Sequence, residues 1–177
     1  MSHPYLPGTG YLDATQAIKR QQDSNNLGTL SADVLNTLLN LQAFDSTLLE
    51  HHLSPRIVAI HVDPDPRWTC RSRIELCRKV RLQHSLNPNY LVDVRKEGIG
   101  VEVEEDGRKA TVWVPAAVRD YIAEDHGRVV REWMLRMQWR RRRDVEDGGG
   151  GGKDQGSQWV CERLVGFSAA GGFIGEF

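Results

Sequence analysis

The segment IGVEVEEDGRKATVWV, residues 99–114, carries one of the two strongest local signals in the chain. Asp106-Gly107 at its centre is a two-residue turn that tolerates positive φ at both positions, and such a turn fixes the register of the strands on either side. Pairing outward from the turn places Val101 opposite Val112 and makes one face of the pair wholly apolar. The segment therefore predicts a β-hairpin with one aliphatic face.

The second strong signal lies before this hairpin. Ser72 is followed three residues later by Glu75, the arrangement in which the two residues cap a helix start reciprocally. The pattern predicts a helix over residues 73–85 that ends before Asn87-Pro88.

The N-terminal part of the chain predicts further helices. A short helix is expected from Ala14 to Gln22, after a loose arm over residues 1–10. Ser31 is expected to cap a longer helix in which leucines recur at helical spacing until Ser54-Pro55, with a break near Asp45.

Alternating apolar residues predict three more strands. They cover residues 56–62, 128–143 and 159–167. The five glycines of residues 148–152 lie between the last two, so residues 144–158 are expected to form a flexible hairpin loop. The sequence thus predicts an N-terminal arm with a short helix over residues 1–29, a single domain over residues 30–168, and a tail over residues 169–177.

Length and composition limit the classes of function. A chain of 177 residues with 40% hydrophobic and 27% charged residues can bury one core. Its net charge of -1 does not give the global field that draws a protein to nucleic acid, so nucleic-acid binding through the arginine clusters is the third hypothesis, after the two given below. No segment is apolar enough to span a membrane, and three cysteines without a C-x-x-C pair favour reduced thiols in a cytoplasmic protein.

Metal and nucleotide motifs are weak throughout. His51, His52, His61 and Cys70 lie in one region, but adjacent histidines on a helix point about 100° apart and lack a second ligand at the i,i+4 spacing. Neither a metal nor a cofactor is expected.

Two positions among the predicted strands pose a chemical question. His61 is followed two positions later by Asp63, which points the same way on a strand and could orient or charge the imidazole. Arg131 lies beside Trp133 on an otherwise apolar strand face, where it could stabilise an enolate or a carboxylate. The alternatives are a satisfied structural histidine and an arginine paired with an unseen acid.

The order of elements resembles one known family. The residues that carry the resemblance are the 38–53 helix with Phe44-Asp45, the 57–62 strand, the 72–76 helix start, the 110–113 strand, Glu132-Trp133 and the 159–167 strand. In this order, over about residues 30–168, the chain resembles the nuclear-transport-factor-two-like superfamily, in its SnoaL-like branch of small fungal and bacterial proteins.

The resemblance implies an α+β fold in which a cone-shaped, curved antiparallel sheet wraps around N-terminal helices, a cystatin-like roll. It also implies a hydrophobic pocket and a homodimer packed through the outer sheet face. Family members include cofactor-free cyclases, dehydratases and isomerases that move protons near a carbonyl, as well as non-catalytic binding modules.

We therefore expect a pocket for a hydrophobic small molecule, in which His61 is the general base, Asp63 tunes it and Arg131 stabilises negative charge. Phe44, Tyr90 and Trp133 are expected to line its walls. The alternative is a non-catalytic interaction module that dimerises through Trp113 and its strand neighbours.

Overall fold

The computed structural model describes residues 9–62, 68–121, 128–142 and 158–168. Within these ranges the chain forms three α-helices and seven strands. These are α1 (Thr9–Asn36), α2 (Thr47–His52), β1 (Leu53–His61), β2 (Trp68–Cys70), α3 (Arg73–Leu86), β3 (Leu91–Val94), β4 (Gly100–Val103), β5 (Lys109–Tyr121), β6 (Arg128–Arg141) and β7 (Trp159–Ser168).

Helix α1 is a single helix where the sequence predicted two. Ser31 does not cap a new helix; it is buried in the interior of α1, so that prediction is wrong. Gly28 weakens the local helix signal, but a Cβ there would lie 3.5 Å from Cγ2 of Ile99 and 3.7 Å from Cγ2 of Val101, so α1 packs closely against β4 and the residue before it. This tertiary contact outweighs the low helix propensity of glycine, as packing routinely outweighs propensity in proteins. The helix also runs across the expected boundary after residue 29.

The predicted break near Asp45 is present, but Ser46 makes the cap. Its hydroxyl accepts a hydrogen bond from the Leu49 backbone N–H at 3.3 Å, and α2 begins at Thr47. Before this break the chain passes through a π-helical turn, Thr37–Leu41, which ends at Gln42 in the left-handed conformation.

The two strong local predictions are confirmed. Val101 pairs with Val112 in the β4–β5 hairpin, with the register set by the Asp106-Gly107 turn. Ser72 caps α3 by accepting from the Glu75 N–H at 3.2 Å, although the Glu75 carboxylate accepts from Arg71 N–H instead of closing back on Ser72.

The sheet is curved, unclosed and mixed, with strand order β2-β1-β7-β6-β5-β3 and β4 paired to β5. The curved sheet is antiparallel as expected except at one pair, because β1 runs parallel to β7. Helix α3 and the strands β3 to β6 separate β1 from β7 in the chain, and this long connection permits parallel pairing.

Strands β2 and β3 were not predicted, because three- and four-residue strands are too short to show periodicity. Strand β3 is supported from the side by Asn40. Its amide donates to Val92 O at 2.7 Å and accepts from Val92 N at 2.9 Å, so the side chain takes the place of a neighbouring strand.

The inner face of the sheet carries the core. Val112, Val114, Leu135 and Met137 from β5 and β6 pack there with leucines of α1, and all are buried. The outer face carries Trp113 and other half-exposed side chains from β5 to β7.

Several predicted segments lie outside the described residues. They are most of the N-terminal arm, the glycine-rich loop except residue 158, and the tail over residues 169–177. Among the helices that are described, none combines the length and apolar character needed to cross a membrane.

Candidate functional site

A cavity of about 450 Å³ lies between α3 and the inner face of the sheet. Aliphatic side chains from α3, β5, β6 and β7 form most of its wall. Its polar and aromatic lining residues are His61, Trp68, Lys79, Gln83, Tyr90 and Trp133. An apolar pocket with a few polar groups is the usual form of a small-molecule site.

His61 is positioned by the alternation of β1. Ile57, Ala59 and His61 face inward along the strand, and at its end the histidine is only 9% exposed. Its ring stacks on Trp68 with centroids 5.4 Å apart and planes 4° apart, and lies 4.8 Å from the Trp133 ring at a tilt of 52°. The imidazole is therefore held between two indoles at the wall of the cavity.

Gly166 makes space beside this imidazole. It is the Cα partner of His61 across the parallel β1–β7 pair. A Cβ built on Gly166 would lie 3.7 Å from Cδ2 of His61 and 3.4 Å from Cδ2 of Leu135. These are ordinary van der Waals distances, so a side chain at this position would project into volume that is now open to a ligand.

Trp133 brings a hydrogen-bond donor to the same region. Its indole Nε1 is buried and has no hydrogen-bond partner within the described part of the chain. A buried N–H without an acceptor costs free energy, and Nε1 has almost no accessible surface, so a ligand acceptor could reach it only after the Trp133 side chain moves.

The structure brings three of the six predicted site residues to this cavity: His61, Tyr90 and Trp133. Arg131 is placed by register opposite Val118, another lining residue, but its side chain lies outside the described part of the chain, as does all of Asp63. Phe44 does not line the cavity.

Phe44 instead packs at the edge of the core. The Arg81 guanidinium carbon lies 5.1 Å from the centre of the Phe44 ring. The aromatic ring, in the segment before α2, thus contacts α3 and is separate from the cavity wall.

Sequence reasoning missed Trp68, Lys79, Gln83 and Gly166 as lining residues. Lys79 and Gln83 are four positions apart on α3, a spacing that places both on one helix face, and this signal was available. Trp68 and Gly166 depend on the pairing of β1 with β2 and β7, which no local pattern reveals.

The cysteines are unsuited to nucleophilic chemistry. Burial raises the pKa of the Cys161 thiol to about 12 and also raises the pKa of Cys70 and Cys77. All three thiols are free of disulfides, and because their pKa values are raised they remain protonated near pH 7.

Comparison with known proteins gives similarity in structure alone. The sequence matches no protein-family model and no curated protein. An NTF2-like protein with a cystatin-like fold from Novosphingobium aromaticivorans superposes with a TM-score of 0.60 at 14% identity, covering 96% of this chain and 95% of that one.

Two further solved structures show the range of proteins that share this architecture. The hexachlorocyclohexane dehydrochlorinase LinA-type3 from Novosphingobium barchaimii has a TM-score of 0.57 at 10% identity, covering 82% of this chain and 90% of that one. A CaMKII hub from S. rosetta has a TM-score of 0.52 at 14% identity, covering 80% and 95%. With its curved sheet, its helices on the inner face and these neighbours, the protein has the NTF2-like, cystatin-like fold.

Proposed function

We propose that the cavity binds a flat hydrophobic carbonyl compound and that His61 moves a proton on it without a cofactor. The observation that carries the proposal is the placement of His61, which is 9% exposed and lines an apolar cavity between two indole rings. An imidazole exchanges protons near neutral pH, which suits it to general acid–base catalysis.

The proposed step is a proton transfer at carbon. A neutral imidazole nitrogen of His61 takes the proton from the carbon next to the carbonyl group. The C–H bond breaks, its electron pair forms the enolate double bond, and the carbonyl π pair moves to the oxygen. The imidazolium then returns the proton to a different atom of the enolate, so that the overall reaction is an isomerisation. With a leaving group on the β-carbon, the enolate pair would instead form a C=C bond as that group departs with its bonding pair, and the imidazolium would give its proton to the departing group.

Negative charge on the enolate oxygen requires a donor. The Trp133 indole N–H is one candidate, because it has no acceptor among the described residues, but it would serve as a donor only after the side chain moves to expose it. Arg131 is proposed as a second donor and Asp63 as the group that orients His61, both from their positions in the sequence. One fold neighbour is named as a dehydrochlorinase, and this fold-level analogy supports proton transfer as the type of chemistry.

Exchange of carbon-bound hydrogen tests the proposal directly. In D2O, the wild-type protein should accelerate loss of the α-proton signals of 2-tetralone and related flat ketones, measured by NMR. His61→Phe keeps an aromatic ring between the two indoles but removes the base, so the acceleration should disappear. Equal exchange rates for both proteins, across ketones that bind, would overturn the proton-transfer role.

The outer sheet face supports a second candidate function, a module that assembles as a homodimer. The Arg136 guanidinium carbon lies 5.4 Å from the Trp113 ring centre and 5.6 Å from that of Phe167, and Met134 beside them is 39% exposed. Aromatic residues, Met and Arg are the residue types enriched at protein interfaces.

Light scattering over a range of protein concentrations tests this candidate. The wild-type protein should have twice the mass of a monomer, and Trp113→Glu should shift it to the monomer while leaving the unfolding transition cooperative. A wild-type monomer at high micromolar concentration would overturn it.

A further inference from the structure

We infer that the cavity selects an amphiphilic monoanion, with its carboxylate at Lys79 and its apolar body inside. This inference rests on the proposed function and narrows it to a hydrophobic carbonyl compound that carries a single negative charge.

The first argument is the charge of the lining. Among the described residues that line the cavity, Lys79 is the one Lys or Arg, and no Asp or Glu is among them. An anion would therefore meet a cation and no repelling carboxylate, whereas a cationic ligand would meet only the lysine.

The second argument is that Lys79 is available. Glu75 precedes it by one helical turn, but the Glu75 carboxylate accepts from the Arg71 N–H at 2.7 Å. No described acidic side chain forms an ion pair with Lys79, which is exposed at the cavity edge. Its ammonium group can thus reach a ligand without first breaking an existing pair.

The third argument is the apolar edge beside it. Leu82 and Leu86 follow Lys79 at the i+3 and i+7 positions, on the same face of α3, and both line the cavity. They are 50% and 75% exposed. A ligand whose apolar body passes these leucines would cover them while its acidic group lies at the lysine.

The size of the effect follows from the exposure of Lys79. An exposed ion pair in water contributes little, and contact with apolar surface strengthens it only moderately. We expect a preference of about three- to tenfold for an acid over its neutral amide at low salt. Lys79 is thus a specificity-determining residue, and most of the affinity comes from the apolar body.

Matched acids and amides test the inference. The probes are carboxylic acids and primary amides on three skeletons, naphthalene, indane and a decanoyl chain, titrated by calorimetry at 20 mM and 500 mM salt. Wild-type protein should prefer the acids at 20 mM salt and lose most of this preference at 500 mM. Lys79→Met should remove the preference by lowering the affinity for the acids much more than the affinity for the amides.

Arg78→Met is the matched control. It removes the same charge from the adjacent position of α3, and Arg78 does not line this cavity, so the preference should persist. If amides bind as well as acids, or if Lys79→Met retains the preference, the inference is overturned while pocket binding stands. If no skeleton binds in either form, the proposed function fails, and the inference fails with it.

Discussion

Gly166 lies directly opposite His61 in the parallel pair of β1 and β7, and a Cβ on the glycine would come 3.7 Å from Cδ2 of the imidazole. The glycine thus leaves open the volume beside the one buried histidine side chain of the described residues. Both residues line the cavity, so a ligand in contact with His61 would lie close to this volume.

Filling that volume should block binding. In Gly166→Leu the new side chain would occupy the space next to His61, and affinity for 2-tetralone should fall at least about tenfold, because a buried leucine displaces ligand atoms from apolar contact. Gly166→Ala adds only a methyl group at ordinary contact distances and should retain most of the affinity. Titration of both folded variants checks this, and unchanged binding in Gly166→Leu would place the ligand elsewhere.

Gly28→Ala should stabilise the protein. Gly28 lies in the interior of α1, and its added Cβ would meet Ile99 and Val101 at 3.5 and 3.7 Å, both normal contacts. Alanine is favoured over glycine inside a helix by about 1 kcal/mol, so the free energy of unfolding in urea should rise by about 0.5–1 kcal/mol.

Gly98→Ala is the control for that substitution. Gly98 has φ +83°, which an alanine adopts only with strain, so the same chemical change should lower the free energy of unfolding by about 1 kcal/mol. Destabilisation in Gly28→Ala would mean that the close packing of α1 on β4 does not tolerate a methyl group.

The ion pair between Asp23 and Arg141 should stabilise the attachment of α1 to the sheet. The two groups are 2.9 Å apart, with side chains 22% and 19% exposed, and the Arg141 guanidinium also lies 4.7 Å from the centre of the Trp159 ring. Asp23→Asn should lower the free energy of unfolding by about 1–2 kcal/mol, because it leaves a half-buried guanidinium without its counter-charge.

A solvent-exposed pair provides the comparison. Asp33 lies 3.7 Å from Lys96, and both side chains are at least half exposed. Asp33→Asn should change the free energy of unfolding by less than about 0.5 kcal/mol. Equal effects of the two substitutions would show that the Asp23–Arg141 pair is as well solvated as the surface pair.

Cys161 should make the protein less stable at alkaline pH. Burial raises its pKa from 9.0 to about 12 in the folded protein. The unfolded chain therefore loses this proton first as pH rises, so stability is complete below about pH 9 and falls between pH 9 and 12. From pH 8 to pH 10.5 the thiol accounts for a loss of about 2 kcal/mol, at 1.36 kcal/mol per pKa unit.

Cys161→Ala removes that titration. Its free energy of unfolding should be lower than that of the wild type at pH 8, where it leaves a small cavity, but should decline less by pH 10.5. Urea unfolding at the two pH values measures the difference. Parallel declines in the two proteins would show that another group governs the alkaline loss.

The elements that could be predicted from the sequence are those whose information is local. The Asp106-Gly107 turn determines the register of the β4–β5 hairpin. Ser72 caps α3 and so determines where that helix starts. These patterns need no knowledge of distant residues.

The elements that could not be predicted depend on distant partners. The continuity of α1 through Gly28 requires the β4 contact, and β2 exists as a strand because β1 is beside it. The same distinction between local and distant information applies to the candidate site. The alternation along β1 predicts that His61 faces inward, whereas the positions of Trp68 and Gly166 beside it depend on the order of the strands in the sheet.

The parallel union of β1 with β7 has a consequence for biosynthesis. The partners His61 and Gly166 are more than one hundred residues apart in the chain, so β1 and β2 have no neighbouring sheet until β7 leaves the ribosome. During translation the exposed edge of β1 is open to mispairing with other nascent chains. Shielding of this edge until β7 has been made should therefore favour the correct pairing.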